Sequence, residues 1–259
     1  MKIHYKTAIV TGASSGIGAA IAKQLCENET KVYGIARSSK KLNNIKNGIA
    51  KPSQKNFIPI ECDLINIEQT AKAISKIHKE NTVDLLICNA GIGYWKSLNE
   101  YSWEDVNTVI STNLLGTIGV IKASIENNNK PLHIVCTSSL AGKVGFPNLS
   151  IYSASKFAIE GLVDSLRQEY KSSSVRFTIL RPGITATNFF NEAGMQEFEN
   201  SVKGLRSFYS PDKVARIFLN KLTPNKRTIT IGNDKYFVFL LPSIPYKFRF
   251  NVLDIINNV

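Results

Sequence analysis

Two side chains four residues apart, Tyr152 and Lys156, carry the clearest chemistry in this sequence. They bound Tyr152-Ser153-Ala154-Ser155-Lys156, which reads as the opening turns of a helix, so both leave one face a turn apart. An unperturbed tyrosine titrates near ~10, and an ammonium close by favours its phenolate, which brings the hydroxyl toward acid–base work at neutral pH. Lys156 is therefore expected to lower the Tyr152 pKa. Thirteen residues before the tyrosine, Ser139 follows the apolar run Leu132-His133-Ile134-Val135-Cys136-Thr137, which reads as a buried strand. A hydroxyl at the C-terminal end of a parallel strand points into the crevice where ligands bind. Three polar groups are thus expected to converge on one spot.

The elements that must hold these groups follow along the chain. Lys6 to Thr11 reads as a first buried strand, running into Thr11-Gly12-Ala13-Ser14-Ser15-Gly16-Ile17-Gly18 and a helix to about Glu29. Such glycines let the backbone turn tightly and approach a pyrophosphate, and the helix N-terminus behind them offers free N–H groups and a positive dipole end. The spacing is G-x-x-x-G-x-G rather than the general dinucleotide pattern G-x-G-x-x-G. Val32 to Ala36 reads as a second strand, with Arg37-Ser38-Ser39 beyond it. A fold that binds NAD usually places an acid here, about 20 residues past the glycines, for the ribose 2'-hydroxyl. Ala36 stands there instead.

Phe57 to Cys62 reads as a third strand closed by Asp63-Leu64, and Asp63 doubles as a candidate start for a helix over Asn66 to His78. Leu85 to Cys88 reads as a fourth strand, leading into Asn89-Ala90-Gly91. A helical stretch from Ser102 to about Asn127 opens with the capping box Ser102-Trp103-Glu104-Asp105 and carries Asn113 inside it. A kink that frees a backbone carbonyl at Asn113 would hold a water beside Lys156. After the Tyr152 helix, which runs to about Tyr170, Val175 to Leu180 leads into Arg181-Pro182-Gly183-Ile184-Thr185-Ala186-Thr187. Ser210-Pro211-Asp212 opens a further helix, and Thr228 to Ile231 reads as the last strand. The alternation is continuous, without repeats or linkers. It predicts one α/β domain over 1–259, a doubly wound Rossmann-type parallel sheet of about seven strands with helices on both faces.

Taken together, Ser139, the YSASK segment with Tyr152 and Lys156, the TGASSGIG turn, Asn89-Ala90-Gly91, Asn113 and Pro182-Gly183-x-x-x-Thr187 resemble the short-chain dehydrogenase/reductase family over residues 5–232. The resemblance implies an oxidoreductase in which Asn113, Ser139, Tyr152 and Lys156 are catalytic. Tyr152 would give a proton to a carbonyl oxygen held by Ser139, Lys156 would bond the nicotinamide ribose, and Asn113 would anchor a proton-relaying water. It also implies a cofactor cradle of Gly12, Ser14, Ser15, Gly16, Ile17 and Gly18. Asp63 and Leu64 would lie near the adenine, and Asn89, Ala90 and Gly91 would line the cofactor with Tyr152 and Lys156. Pro182, Gly183, Ile184 and Thr187 would meet the carboxamide. Ala36 removes the acid that repels a 2'-phosphate and Arg37, with Ser38, can fork onto one, so the cofactor is expected to be NADP(H).

Composition bounds the partners. Hydrophobic residues make up 43% and charged residues 20%, ordinary for a globular protein, and no apolar run approaches the ~20 residues of a spanning helix. With no signal-like N-terminal segment the expected location is cytoplasmic. Cys26, Cys62, Cys88 and Cys136 sit singly in apolar segments without metal-ligand spacing, so no metal is expected. The net charge of +12 is concentrated in residues 31–56, at Lys31, Arg37, Lys40, Lys41, Lys46, Lys51 and Lys55. It reads as a solvated basic face, with no aromatic-interleaved motif for nucleic acid.

Residues 188–209 carry Phe189, Phe190, Met195, Phe198, Phe208 and Tyr209, where the family builds its substrate lid, and imply a hydrophobic carbonyl or alcohol substrate. Residues 233–259 are basic and aromatic and depart from the family's usual ending. They invite contact with a membrane surface or a second subunit, and a homodimer or homotetramer is expected. Two alternatives stand beside this reading. One is a 3-oxoacyl-acyl-carrier-protein reductase, whose basic surface would dock an acidic carrier. The other is a non-catalytic NADP-sensing module.

Overall fold

The central strands are aliphatic runs buried on both faces, which is the pattern of a parallel sheet covered by helices. The computed structural model describes residues 5–196 and 209–232. Its strands are β1 (Thr7–Thr11), β2 (Lys31–Ala36), β3 (Phe57–Glu61), β4 (Leu85–Cys88), β5 (Leu132–Thr137), β6 (Val175–Pro182) and β7 (Thr228–Ile231). The helices are α1 (Gly16–Glu27), α2 (Ser39–Asn47), α3 (Ile67–Glu80), α4 (Trp103–Ile110), α5 (Gly116–Glu126), α6 (Ser150–Glu169), α7 (Phe189–Glu192) and α8 (Pro211–Lys221). All seven strands join one parallel sheet in the order β3-β2-β1-β4-β5-β6-β7. The expected doubly wound α/β architecture is therefore present, and the strand order reverses between β1 and β4. The crevice outside the carboxyl ends at that reversal is where such sheets take ligands.

Alternation along the strands divides the core. Ala8, Val10, Leu85 and Ile87 face one side, with Ile21 and Leu25 of α1, Leu42 of α2 and Val214 and Phe218 of α8. Ile9, Leu86, Ile134 and Cys136 face the other, with Ile74 and Ile77 of α3, Val120 and Ile121 of α5 and Ile159 and Val163 of α6. Each such fully buried aliphatic or aromatic side chain contributes about 1.5–3 kcal/mol. The two layers thus clamp the strand ends that carry the polar groups. All four cysteines are buried and free, as their apolar settings foretell.

Three features depart from the sequence reading. Helix α2 was not anticipated: it is Lys- and Asn-rich with one buried residue, Leu42, and is nucleated by Ser38, whose side chain accepts from Lys41 N at 3.2 Å. The Ser102 helix is not continuous α-helix but opens into a π turn over Ser111–Leu115. Its whole run, Trp103–Glu126, is also long and apolar enough by length and composition to cross a membrane, contrary to expectation, though it packs here against α3 and α6. Residues 197–208 and 233–259, with Phe198, Phe208 and the proposed membrane or subunit contact, lie outside the described residues.

Candidate active site

The glycine turn forms where β1 meets α1. Gly12 has φ +66° and lies so close to the β4 end that a Cβ would stand 2.9 Å from the Ala90 backbone. A Cβ on Gly18 would stand 2.4 Å from Gly12 O, so the helix approaches the turn this closely because Gly18 lacks a side chain. Ser15 is the N-cap of α1 but gives it no side-chain bond, and the first turn has no acid. The free N–H groups and the positive dipole end there suit a pyrophosphate. Ser15 is exposed, Ser14, Gly16 and Ile17 are half-buried, and Ile17 also packs on the core. Across the cleft, Thr187 lies 3.1 Å from where a Gly16 Cβ would be, which brings the last of the expected carboxamide contacts to the cradle. These residues fit a dinucleotide.

On the adenosine side, Arg37 is exposed and has no ion-pair partner among the described residues. Ser38 accepts the Lys41 N–H, which leaves its hydroxyl hydrogen to donate. Asp63 does not cap α3. Its Oδ1 accepts from Ile65 N at 3.1 Å, and Asn66 takes the cap with Gln69 N at 3.0 Å. Leu64 is buried in the core and lies under Gly116, so only its backbone remains for a ligand. The β4 turn is held by Thr11, whose Oγ1 accepts from Asn89 N at 3.0 Å and Ala90 N at 3.1 Å. Thr11 was not singled out as a site residue. A Cβ on Gly91 would stand 3.2 Å from Lys156 Nζ.

Tyr152 and Lys156 share a face of α6 as the four-residue spacing requires, with Nζ 5.6 Å from the tyrosine ring centre. Lys156 is buried, and its Nζ donates to Thr137 O at 3.0 Å, anchoring α6 to the end of β5. Burial pushes this ammonium down to about 8. Burial also pushes the Tyr152 phenol up to about 12, partly offset by a hydrogen bond with the Ser139 side chain. The expected net lowering of the Tyr152 pKa is corrected: burial sets its direction, and one Lys156 N–H is directed at the Thr137 carbonyl. Ser139 caps the turn Leu140–Gly142, its Oγ accepting from Ala141 N at 3.2 Å. Its own hydrogen is directed at the Tyr152 oxygen, a donation that favours the phenolate.

Asn113 is buried in the π turn and holds Ile92 at both ends, accepting from Ile92 N at 2.8 Å and donating to Ile92 O at 2.9 Å. Its Nδ2 also reaches Ser155 Oγ at 3.0 Å, and Ser155 in turn donates to Tyr152 O at 2.7 Å. The Asn113 carbonyl accepts from Thr117 Oγ1 at 2.8 Å. Asn113 thus ties Ile92, in the chain after Gly91, to the tyrosine helix. Ser155, inside the YSASK segment, shows this link only in three dimensions.

Beside the tyrosine the walls are apolar. Leu149, Phe190, Ala193 and Met195 form a buried cluster against which Trp95, Phe146, Tyr152, Ile184 and Phe189 pack. Phe189 of α7 lies with its ring centre 5.3 Å from that of Tyr152, above Gly93, where a Cβ would stand 3.0 Å from both rings. Among the described residues no cluster of three or more His, Cys, Asp or Glu is placed to hold a metal.

Three comparisons agree with this construction. The family described as short chain dehydrogenase matches residues 6–197. Among curated proteins, the 3-dehydrosphinganine reductase TSC10B of Arabidopsis thaliana is 31% identical over 235 residues, spanning 88% of this chain and 70% of that protein. Among solved structures, an alcohol dehydrogenase from the archaeon Thermococcus sibiricus, complexed with 5-hydroxy-NADP, aligns with TM-score 0.77 and 27% identity over 88% of this chain and 96% of its own. A short chain dehydrogenase/reductase from Burkholderia phymatum in complex with NAD shares the fold with TM-score 0.84 and 22% identity over 94% and 95% of the two chains. The family match over residues 6–197 and the relative that is 31% identical place the chain: it is an oxidoreductase and belongs to the short-chain dehydrogenase family.

Proposed function

We propose that the protein is an NADP(H)-dependent carbonyl reductase, or alcohol dehydrogenase in reverse, acting on a hydrophobic ketone. The observation that carries this is the meeting of Tyr152, Ser139 and Lys156 at the carboxyl edge of the sheet, with the apolar wall of Phe189, Phe190 and Met195 beside them. Bound NADPH supplies a hydride to the carbonyl carbon. The Ser139 hydroxyl and the Tyr152 phenol donate to the carbonyl oxygen, and two oriented donors in a dry site are worth a few kcal/mol of barrier, of order ~3. Tyr152 then gives its proton to that oxygen. A phenol held near 12 is fully protonated at neutral pH, so it is loaded for reduction.

Lys156 positions the nicotinamide ribose. A ribose at this site would accept from the Nζ donors not used by Thr137 O, and a water beside Asn113 would return the proton from bulk. The cradle of Gly12, Ser14, Ser15, Gly16, Ile17 and Gly18 takes the pyrophosphate, and Arg37 with Ser38 takes a 2'-phosphate. Pro182, Gly183, Ile184 and Thr187 meet the carboxamide. Residues 1–259 act as one domain in the cytoplasm, and the basic, aromatic composition of residues 233–259 supports contact with a membrane surface. A homodimer or homotetramer is supported by a surface groove lined by Ile118, Ile121 and Ile125 of α5, Leu162 and Leu166 of α6 and Tyr170 just past it, together with Lys122 and Glu126.

The test is NADPH consumption with a panel of hydrophobic ketones and aldehydes, including 3-dehydrosphinganine, for which the relative TSC10B is named. Turnover confined to apolar ketones is expected. Turnover of acyl-carrier-protein thioesters in their place, or of nothing, contradicts the reading.

A further inference from the structure

Glu160 lies one turn beyond Lys156 on α6, is 4% exposed, and forks onto Arg181: Arg181 Nε donates to Oε1 and Nη2 to Oε2, both at 2.6 Å. Arg181 is itself only 7% exposed and is the residue before Pro182 at the end of β6. Lys143, just past the Leu140–Gly142 turn, reaches the same carboxylate at 3.4 Å. A hydrogen bond from Ser138, the neighbour of Ser139, adds to it. Burial pushes this carboxyl up, but the Arg181 fork, Ser138 and Lys143 more than offset that and hold it below the ordinary range. One carboxylate therefore joins three segments: the end of β5 that carries Ser139, the helix that carries Tyr152 and Lys156, and the end of β6 that opens the Pro182–Gly183 turn.

Stability alone does not call for such a group. Taking two ions out of water costs several kcal/mol, of order ~5, and well-packed apolar side chains of similar volume commonly hold a fold as well or better. A fork of two short bonds does something an apolar contact does not: it fixes direction as well as distance. We propose that Glu160 is a positioning residue, which through Arg181 sets the Pro182–Gly183 turn against the Lys156 helix and so aligns the nicotinamide half of the cofactor. This rests on the dinucleotide reading of the cleft and deepens it, because Arg181 adjoins the Pro182–Gly183 turn assigned to the carboxamide.

The experiment is calorimetric titration of wild type, Glu160→Gln and Glu160→Met/Arg181→Met with NADPH, NADH and the two matching ADP-riboses, which keep both riboses and the pyrophosphate and lack only the nicotinamide ring with its carboxamide. In Glu160→Gln the preference for dinucleotide over its ADP-ribose should fall roughly tenfold, with ADP-ribose affinity unchanged, as expected of a misaligned half-site. The double methionine variant should recover the thermal midpoint but not that preference. Glu160→Asp keeps the charge on a shorter arm and should show the same selective loss if Glu160→Gln does not fold. Equal losses for dinucleotide and ADP-ribose, no loss in either single variant, or recovery of the preference along with the midpoint in the double variant would each overturn the proposal. If wild type itself shows no preference for either dinucleotide, the cleft reading fails and the proposal falls with it. If wild type shows it and Glu160→Gln keeps it, the proposal alone fails.

Discussion

Lys156 Nζ lies 5.6 Å from the centre of the Tyr152 ring while its hydrogen bond goes to the Thr137 carbonyl at 3.0 Å. The lysine is thus built into the join between α6 and β5, and its charge is held in a buried place. The sequence spacing foretells the shared face of the two side chains. It does not foretell that dehydration would outweigh their mutual effect, because that depends on how deeply α6 is pressed against the sheet.

A pH profile follows from the lysine. Burial brings Lys156 down to about 8, so the free enzyme loses this ammonium as pH rises through that value. Because kcat/KM reports free-enzyme groups, kcat/KM for NADPH at saturating ketone should fall about tenfold per pH unit above about pH 8. A level profile to about pH 10 would show that the lysine charge is not needed.

The same burial has a cost in stability. The folded-state pKa of Lys156 is depressed, from an unfolded value near ~10.4 to about 8. The penalty is fully present below about pH 8, fades as pH rises toward ~10.4, and is gone above that, where both states are neutral. Lys156→Met should therefore unfold at higher urea than wild type at neutral pH, by about 1–3 kcal/mol, and lose most of that advantage near pH 10.4. It should also be inactive. A destabilised Lys156→Met at neutral pH would mean that the Thr137 bond outweighs dehydration.

Cofactor choice turns on the end of β2. Ala36 presents no charge and Arg37 is exposed beside it, with Ser38 at the start of α2. Charge-assisted bonds to a 2'-phosphate are worth about 1.5–3 kcal/mol each, so the ratio of kcat/KM for NADPH over NADH should lie between roughly 10 and 10⁴. Ala36→Asp/Arg37→Leu should reverse it. Preference for NADH in wild type, or an unmoved ratio in the double variant, refutes the assignment.

The apolar wall makes a separate prediction. Phe189 covers the Tyr152 ring at 5.3 Å and would add contact to an apolar substrate without touching the reacting atoms. Phe189→Ala should raise KM for a long-chain ketone by roughly 10-fold while kcat changes little, the pattern of lost uniform binding. A fall in kcat at constant KM would place Phe189 in the chemistry instead.

How much of this was legible beforehand depends on whether a feature is local. The seven strands announce themselves as short apolar runs, and β4, β5 and β7 begin and end where the sequence places them. Tyr152, Lys156 and the glycines are legible because their spacing along one helix or one turn is itself the geometry, and Ser139 because it follows an apolar strand. Helix α2 was missed because its amphipathic signal reduces to Leu42 and a Ser38 cap. Thr11, Ser155, Glu160 and Arg181 were missed because their partners lie 78, 42 and 21 positions away, and no local period joins them. The two readings also diverge at Leu64 and Asp63, where packing under Gly116 and a tight turn at Ile65 claim side chains expected to face a ligand.

The most direct measurement is turnover by Tyr152→Phe, with NADPH binding followed on the same protein. Phenylalanine keeps the ring against Phe189 and Gly93 and removes only the hydroxyl that carries the proton. The account predicts a fall in kcat of about 10²-fold to 10⁴-fold at nearly unchanged NADPH affinity. A folded Tyr152→Phe protein that reduces the ketone at the wild-type rate would contradict it.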